Sequence, residues 1–118
     1  MAAKDEVGRH GEQVVATRLR DAGWEILDRN WRCELGELDI VAVDEGELVA
    51  VEVKTRRTHA FGPPQEAVTR RKLARLRQLT AAWLSAQPRY FRAVRIDVCA
   101  VTLPSRGPAL VEHLRGVE

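Results

Sequence analysis

No stretch of this chain approaches the roughly 18–20 consecutive apolar residues of a membrane span, and the opening MAAKDEVGRH lacks the apolar segment of a secretory leader. Both absences point to the cytoplasm and to no membrane partner. Cysteine is scarce. Cys33 and Cys99 have no metal-ligand spacing, and a reducing compartment disfavours a disulfide between them, so both read as small residues in or near strands. Three histidines (His10, His59 and His113) are too scattered to suggest zinc. Nothing signals a Ser/His/Asp triad, although distant residues could assemble one without leaving a local trace. Repeats, low-complexity runs and interdomain linkers are also missing. The net charge of +2 is too small for overall electrostatics to identify a partner.

What is present suffices for one domain over residues 1–118. The length supports an ordinary core without staples, and 45% hydrophobic residues exclude wholesale disorder. The most informative stretch runs from Gly36 to Arg57, GELDIVAVDEGELVAVEVKTRR. Its apolar runs Leu38 to Val43 and Leu48 to Val53 flank Asp44-Glu45-Gly46-Glu47, which is a β-hairpin pattern. A two-residue tip at Glu45-Gly46 and a four-residue loop closing on Val43 and Leu48 give one register. That register sets Asp39 opposite Glu52 and Glu37 opposite Lys54. Alternation puts Leu38, Ile40 and Ala42 with Val49, Val51 and Val53 on one face. Val41, Val43, Leu48 and Ala50 fall on the other, and a sheet apolar on both faces is an interior sheet. Carboxylates directly opposite each other, with Cβ atoms about 4.5–5.5 Å apart, repel. A divalent cation such as Mg²⁺ would relieve that repulsion, since it takes one or two carboxylates with water and substrate phosphate. The plainer alternative is an ordinary Glu37–Lys54 pair, with Asp39 and Glu52 pointing to solvent at the sheet end.

Before the hairpin, residues 5–22 read as an amphipathic helix carrying Val7, Gly11, Val14, Val15, Leu19 and Ala22 on one side, with Gly23 as its stop. Glu12 falls on the shoulder of that apolar face. From there it either reaches the sheet to join Asp39 and Glu52, or stays at the surface with its stem covering apolar area. Trp24 to Arg32 is a first strand, its tryptophans suited to the core or sheet edge rather than to base stacking. After the hairpin, Thr58 to Pro64 forms a loop beside the proposed site, and Thr69 caps a second helix running to about Ala86. That helix carries a stripe of Leu73, Leu76, Leu79, Thr80, Trp83 and Leu84. A strand within Arg92 to Leu103 places Val94, Ile96, Val98 and Ala100 on one face and Arg95, Asp97 and Cys99 on the other. A last short strand spans Leu110 to Leu114. The fold class is α/β, a mixed sheet flanked by helices in αβββαβ(β) order. Arginine heavily outnumbers lysine, and its planar fork suits phosphate recognition. For any one arginine, a solvated helix face is the competing explanation.

The order of elements, with an acid on the second strand and acid-x-Lys on the third, resembles the PD-(D/E)xK nuclease superfamily and its restriction-endonuclease-like core. Within it, Gly11-Glu12, Gly36-Glu37-Leu38-Asp39-Ile40, Val51-Glu52-Val53-Lys54-Thr55-Arg56, Phe61-Gly62 and Arg95-Ile96-Asp97-Val98 resemble the YraN (UPF0102-type) family of small bacterial proteins. That family is described as related to archaeal Holliday junction resolvases. The likeness runs from about Gly8 to Val101, with Leu38 where the superfamily name puts proline. It implies that Asp39 and Glu52 bind Mg²⁺ or Mn²⁺ with help from the Val53 carbonyl, and that Glu12 completes the site directly or through water. Lys54 would orient or deprotonate the attacking water, or stabilise the transition state. Arg56, Arg57, Arg70, Arg71 and Lys72 would hold the phosphate backbone. Glu37 would pair with Lys54 and Asp97 with Arg95. Gln65 and Glu66, near the loop, would assist at most weakly.

Three functions follow from these residues. The first is a Mg²⁺- or Mn²⁺-dependent endonuclease on branched or structured DNA, a symmetric homodimer by analogy with resolvases that cut two strands. The second is a non-catalytic DNA- or RNA-binding module that keeps a nuclease fold. The third is a structural or adaptor protein whose acids sit in plain ion pairs. RNA stays open as a substrate.

Overall fold

In a computed structural model, residues 6–57 and 68–118 are described. They form α1 (Glu6–Asp21), β1 (Glu25–Cys33), β2 (Gly36–Asp44), β3 (Glu47–Arg56), α2 (Arg70–Ser85), β4 (Ala93–Thr102) and β5 (Leu110–Leu114). The Thr58–Pro64 loop and Gln65 and Glu66 lie outside the described residues. The sheet order is β1-β2-β3-β4-β5, antiparallel throughout except for the parallel pair β3 and β4. That one parallel pair requires a crossover connection, and α2 lies within it. The α/β class and the mixed sheet flanked by helices match the sequence reading, and β5 coincides with the expected last strand.

Both faces of the sheet are covered, as the doubly apolar hairpin requires. On one face Val15, Ala16 and Leu19 of α1 pack with Trp24, Ile40, Ala42, Val49, Val51, Cys99 and Val101. On the other, Leu73, Leu76, Leu79 and Trp83 of α2 pack with Leu38, Val41, Leu48, Ala50 and Ile96. Thr69 caps α2 as expected, its hydroxyl accepting a hydrogen bond from the Lys72 amide at 3.1 Å. The hairpin turns at Glu45 and Gly46, whose φ values of 51° and 84° are both positive. That is the two-residue tip whose twist suits antiparallel strands.

The hairpin register holds from Asp44–Glu47 to Ile40–Val51, as the arithmetic required. One residue departs from the expected faces. Leu38 packs in the α2 layer, not with Ile40 and Ala42 on the α1 side. The alternation breaks where β1 and β2 run past Asp39. The pairs Arg29–Ile40 and Trp31–Leu38 bracket Asn30, whose φ of 54° is in the left-handed region that asparagine tolerates. Trp31 and Leu38 both pack toward α2 beyond this kink. Strict period-two counting cannot anticipate it.

A second local feature sets how close α1 approaches. A side-chain carbon at Gly11 would overlap the Thr55 side chain on β3, so only glycine lets the helix lie this near the strand. Gly11→Ala should therefore lower stability by about 1–3 kcal/mol in urea unfolding, the range for forcing extra atoms into a packed contact. It should also displace its neighbour Glu12, which lies 3% exposed against the sheet.

Candidate functional site

Asp39 sits where β2 and β3 stop pairing. Beyond Ile40–Val51, the Val53 amide of β3 donates to Asp39 Oδ2 at 2.8 Å, so a side chain takes the place of a backbone acceptor. The carboxylate therefore lies between the strands and is 6% exposed. On β3, Val53 packs toward α1 and Thr55 meets Gly11 there, so Glu52 points the opposite way. It interacts with Asp39 through charge and a side-chain hydrogen bond, and its Oε2 lies 3.1 Å from Lys72 Nζ on α2.

Glu12 is buried, which decides between the two readings of its border position. Carboxylate oxygens of Glu12, Glu37 and Asp39 lie within 4.8 Å of one another. Asp39 thus belongs to two overlapping sets, one with Glu12 and Glu37 and one with Glu52. Glu37 corrects the sequence reading. Its ion pair is with Arg32 on β1, at 2.7 Å, rather than with Lys54. The kink beside Asp39 removes the regular pairing that a Glu37–Lys54 bridge needs. Lys54 itself is exposed.

Crowding of these acids has a measurable electrostatic signature. Burial, then the charge and hydrogen bond of Asp39, push the Glu52 carboxyl up from its ordinary value of 4.5 to about 7, against the opposing pull of Lys72. A raised acid pKa favours the protonated form in the folded state. Its contribution to stability is greatest below about pH 4.5 and is lost as pH rises toward 7. In EDTA, Glu52→Gln should consequently stabilise the protein by up to about 3 kcal/mol at pH 8 and by little at pH 4. Chemical unfolding at the two pH values measures this. A stability gain that is the same at both would contradict it.

The basic residues flank this site on both sides of the sheet. Arg71, Lys72 and Arg75, with Thr69, Gly36, Glu37 and Glu52, line a groove of about 340 Å³ between α2 and the β2–β3 end. Arg75 Nη1 donates to the Leu35 carbonyl at 3.3 Å, which ties that wall to the β1–β2 turn. Arg70 is exposed on the same first turn, which contains no acid. Arg57 is exposed at a second recess of about 510 Å³, on the α1 side with Glu6 and His10. Arg56 is half-buried, with its Nε and one terminal nitrogen out of solvent, so less of it is available to a ligand.

Asp97 belongs to a separate cluster toward the hairpin turn. It is 0% exposed and bonds Arg95, as the sequence reading expects, at 3.1 and 3.3 Å. It also meets His113 Nε2 at 2.8 Å and accepts from the Gly116 amide at 2.9 Å. Arg95 extends the network to Asp44 and Glu47 and lies over the Trp24 ring.

Two members of the site have roles that the sequence reading misses. Glu37 reads there as half of a plain ion pair, although its place two residues before Asp39 is a usable signal. Lys72 reads as a ligand of the nucleic-acid backbone rather than as a partner of Glu52. Its signal is its position three residues after the Thr69 cap, where a crossover helix begins beside the strand end it has just left.

Comparisons with known proteins agree with the motifs. The model of a family described as "Uncharacterised protein family UPF0102" matches residues 11–101. A UPF0102 protein of Kineococcus radiotolerans is 57% identical over 116 residues, covering 98% of this chain and 95% of the relative. One from Beutenbergia cavernae is also 57% identical, over 117 residues and 99% of both chains. A Frankia casuarinae UPF0102 protein is 53% identical over 98% of each.

Proposed function

Because the chain belongs to the UPF0102 family, the same family its motifs resemble, its chemistry has to be read from the residues, and we propose a divalent-metal-dependent endonuclease acting on nucleic-acid phosphodiesters. The observation that carries this reading is the convergence of Asp39 and Glu52 from adjacent strands, with Glu12 and Glu37 against Asp39 and a groove of cationic side chains alongside. The donor set fits Mg²⁺ or Mn²⁺. It is all carboxylate oxygen and largely buried. When bound there, such a cation would supply Lewis-acid polarisation of a phosphate oxygen and would acidify a coordinated water.

The chain's own groups divide the remaining work. Asp39 and Glu52 would hold the cation, with Glu12 and Glu37 beside Asp39 and the Val53 carbonyl as a further oxygen donor. The Val53 amide keeps the Asp39 carboxylate in one orientation. Lys54, exposed two residues after Glu52, would meet the attacking water or the phosphate once a strand is bound. Arg57, Arg70 and Arg71, and more weakly the half-buried Arg56, would contact backbone phosphates, giving salt-dependent affinity with little sequence readout. By resemblance to archaeal resolvases, the substrate is branched DNA and the acting species a homodimer.

Purified protein incubated with labelled four-way junction, flap, single-stranded and duplex DNA and with RNA, in Mn²⁺ or EDTA, tests the reading. Cleavage in Mn²⁺ only, strongest on the junction, is the expected result. Binding without cleavage in any metal would replace the nuclease with a binding module. No binding even at low salt would leave a structural role.

A further inference from the structure

Among the described residues, the lysine paired with these carboxylates is not the one in the acid-x-Lys motif. Lys72 Nζ lies 3.1 Å from Glu52 Oε2, in a pair whose side chains are 34% and 16% exposed, whereas Lys54 is exposed. One ammonium carries half the charge of a divalent cation, yet Glu52 also faces Asp39, itself against Glu12 and Glu37. An ammonium and a cation on Glu52 repel each other, so arrival of the stronger charge expels the weaker. The groove of about 340 Å³ holds a place for the expelled group, because Lys72 shares it with Arg71 and Arg75. Lysine is suited to such an exchange. Its compact charge rides on a flexible four-carbon stem, while the planar arginine fork is built to stay bound. In a chain with 19 basic residues, lysine occurs only at Lys4, Lys54 and Lys72. The backbone under Lys72 stays fixed, since its amide is held by the Thr69 hydroxyl.

We propose, resting on the nuclease reading above, that Lys72 is an internal counter-ion that leaves Glu52 for a nucleic-acid phosphate in the α2 groove when a divalent cation binds. The exchange couples the two ligands. The cation frees Lys72 for the strand, and by reciprocity the strand, by holding Lys72, strengthens the cation's grip on Glu52.

The test uses the whole protein with Mn²⁺ alone and with labelled four-way junction DNA in Ca²⁺ or EDTA. Without nucleic acid, Lys72→Met should bind Mn²⁺ about threefold tighter than wild type, because the competing pair is gone. Lys72→Arg should bind it no tighter. In Ca²⁺, the salt dependence of junction binding should become shallower by about one phosphate in Lys72→Met. In EDTA, where Lys72 is engaged by Glu52, it should not change. Lys72→Gln provides a second neutral side chain if the methionine variant folds poorly, with circular dichroism as the check. Unchanged or weaker Mn²⁺ affinity in the neutral variants overturns the exchange but leaves the metal site standing. So does a salt dependence that becomes shallower by the same amount in Ca²⁺ and in EDTA, which would make Lys72 a permanent phosphate ligand. A wild type that binds no Mn²⁺ overturns both.

Discussion

Asp39→Asn is expected to lower Mn²⁺-dependent cleavage by at least about a thousandfold, equivalent to about 4 kcal/mol of transition-state stabilisation. The reason is its double membership. Asp39 is the carboxylate common to the set with Glu12 and Glu37 and to the pairing with Glu52, so no neighbour can stand in for it. Asparagine keeps the shape and an oxygen able to accept from the Val53 amide, so the fold should survive. Thermal melting separates a damaged site from a damaged fold. Excess Mn²⁺ should raise the midpoint of wild type by mass action and leave that of Asp39→Asn where it was. Cleavage within tenfold of wild type in the variant would remove Asp39 from the chemistry and the nuclease reading with it.

The largest effect on stability is expected elsewhere, at Arg95. Arg95→Met should destabilise the protein by about 3–5 kcal/mol, the range for breaking a buried pair from one side. It leaves Asp97, fully enclosed, with only His113 and the Gly116 amide, and it takes one of two arginines from Asp44 and from Glu47, which keep Arg115 and Arg92. Replacing both partners, Arg95→Met with Asp97→Asn, should cost less than the two single changes added together, since no uncompensated charge is then buried. Burial alone would push the Asp97 carboxyl up. The bonds from His113, Arg95 and the Gly116 amide outweigh it and hold the group below its ordinary value of 3.8. Its contribution is therefore present above about pH 4 and is lost as the solution is acidified through the depressed value. Urea midpoints at pH 7 and pH 3 for wild type and Asp97→Asn should converge at the lower pH. If the variant is as stable as wild type at pH 7, the network carries no stabilisation.

The carboxylates of Glu52 and Asp97 thus act on stability with opposite sign, and the second is easier to read from sequence than the first. Asp97 and Arg95 are two residues apart on one strand and face the same way, so their pairing follows from alternation alone. The hairpin is equally legible. Apolar runs of matched length and a Glu-Gly tip admit one register, and five pairs follow it. Thr69 and the α2 stripe are visible because capping and helical periodicity are local. Glu37 and Leu38 are not, because the kink beside Asp39 interrupts the period on which face assignment depends. A positive φ at an asparagine on the neighbouring strand leaves no mark in a hydrophobicity pattern. Lys72 is hidden for a different reason. Its partner Glu52 is 20 residues back along the chain, across the crossover, and only the packed helix brings them together.

The bond between Val53 and Asp39 makes one backbone amide an observer of the site. An ordinary ladder amide responds to the sheet around it, but this proton is shared with the carboxylate proposed to hold the cation. Its nuclear resonance frequency and its rate of exchange with deuterated solvent will respond when the oxygen beside it gains another attraction. A titration followed at that single signal reads occupancy directly, without turnover, label or added chromophore.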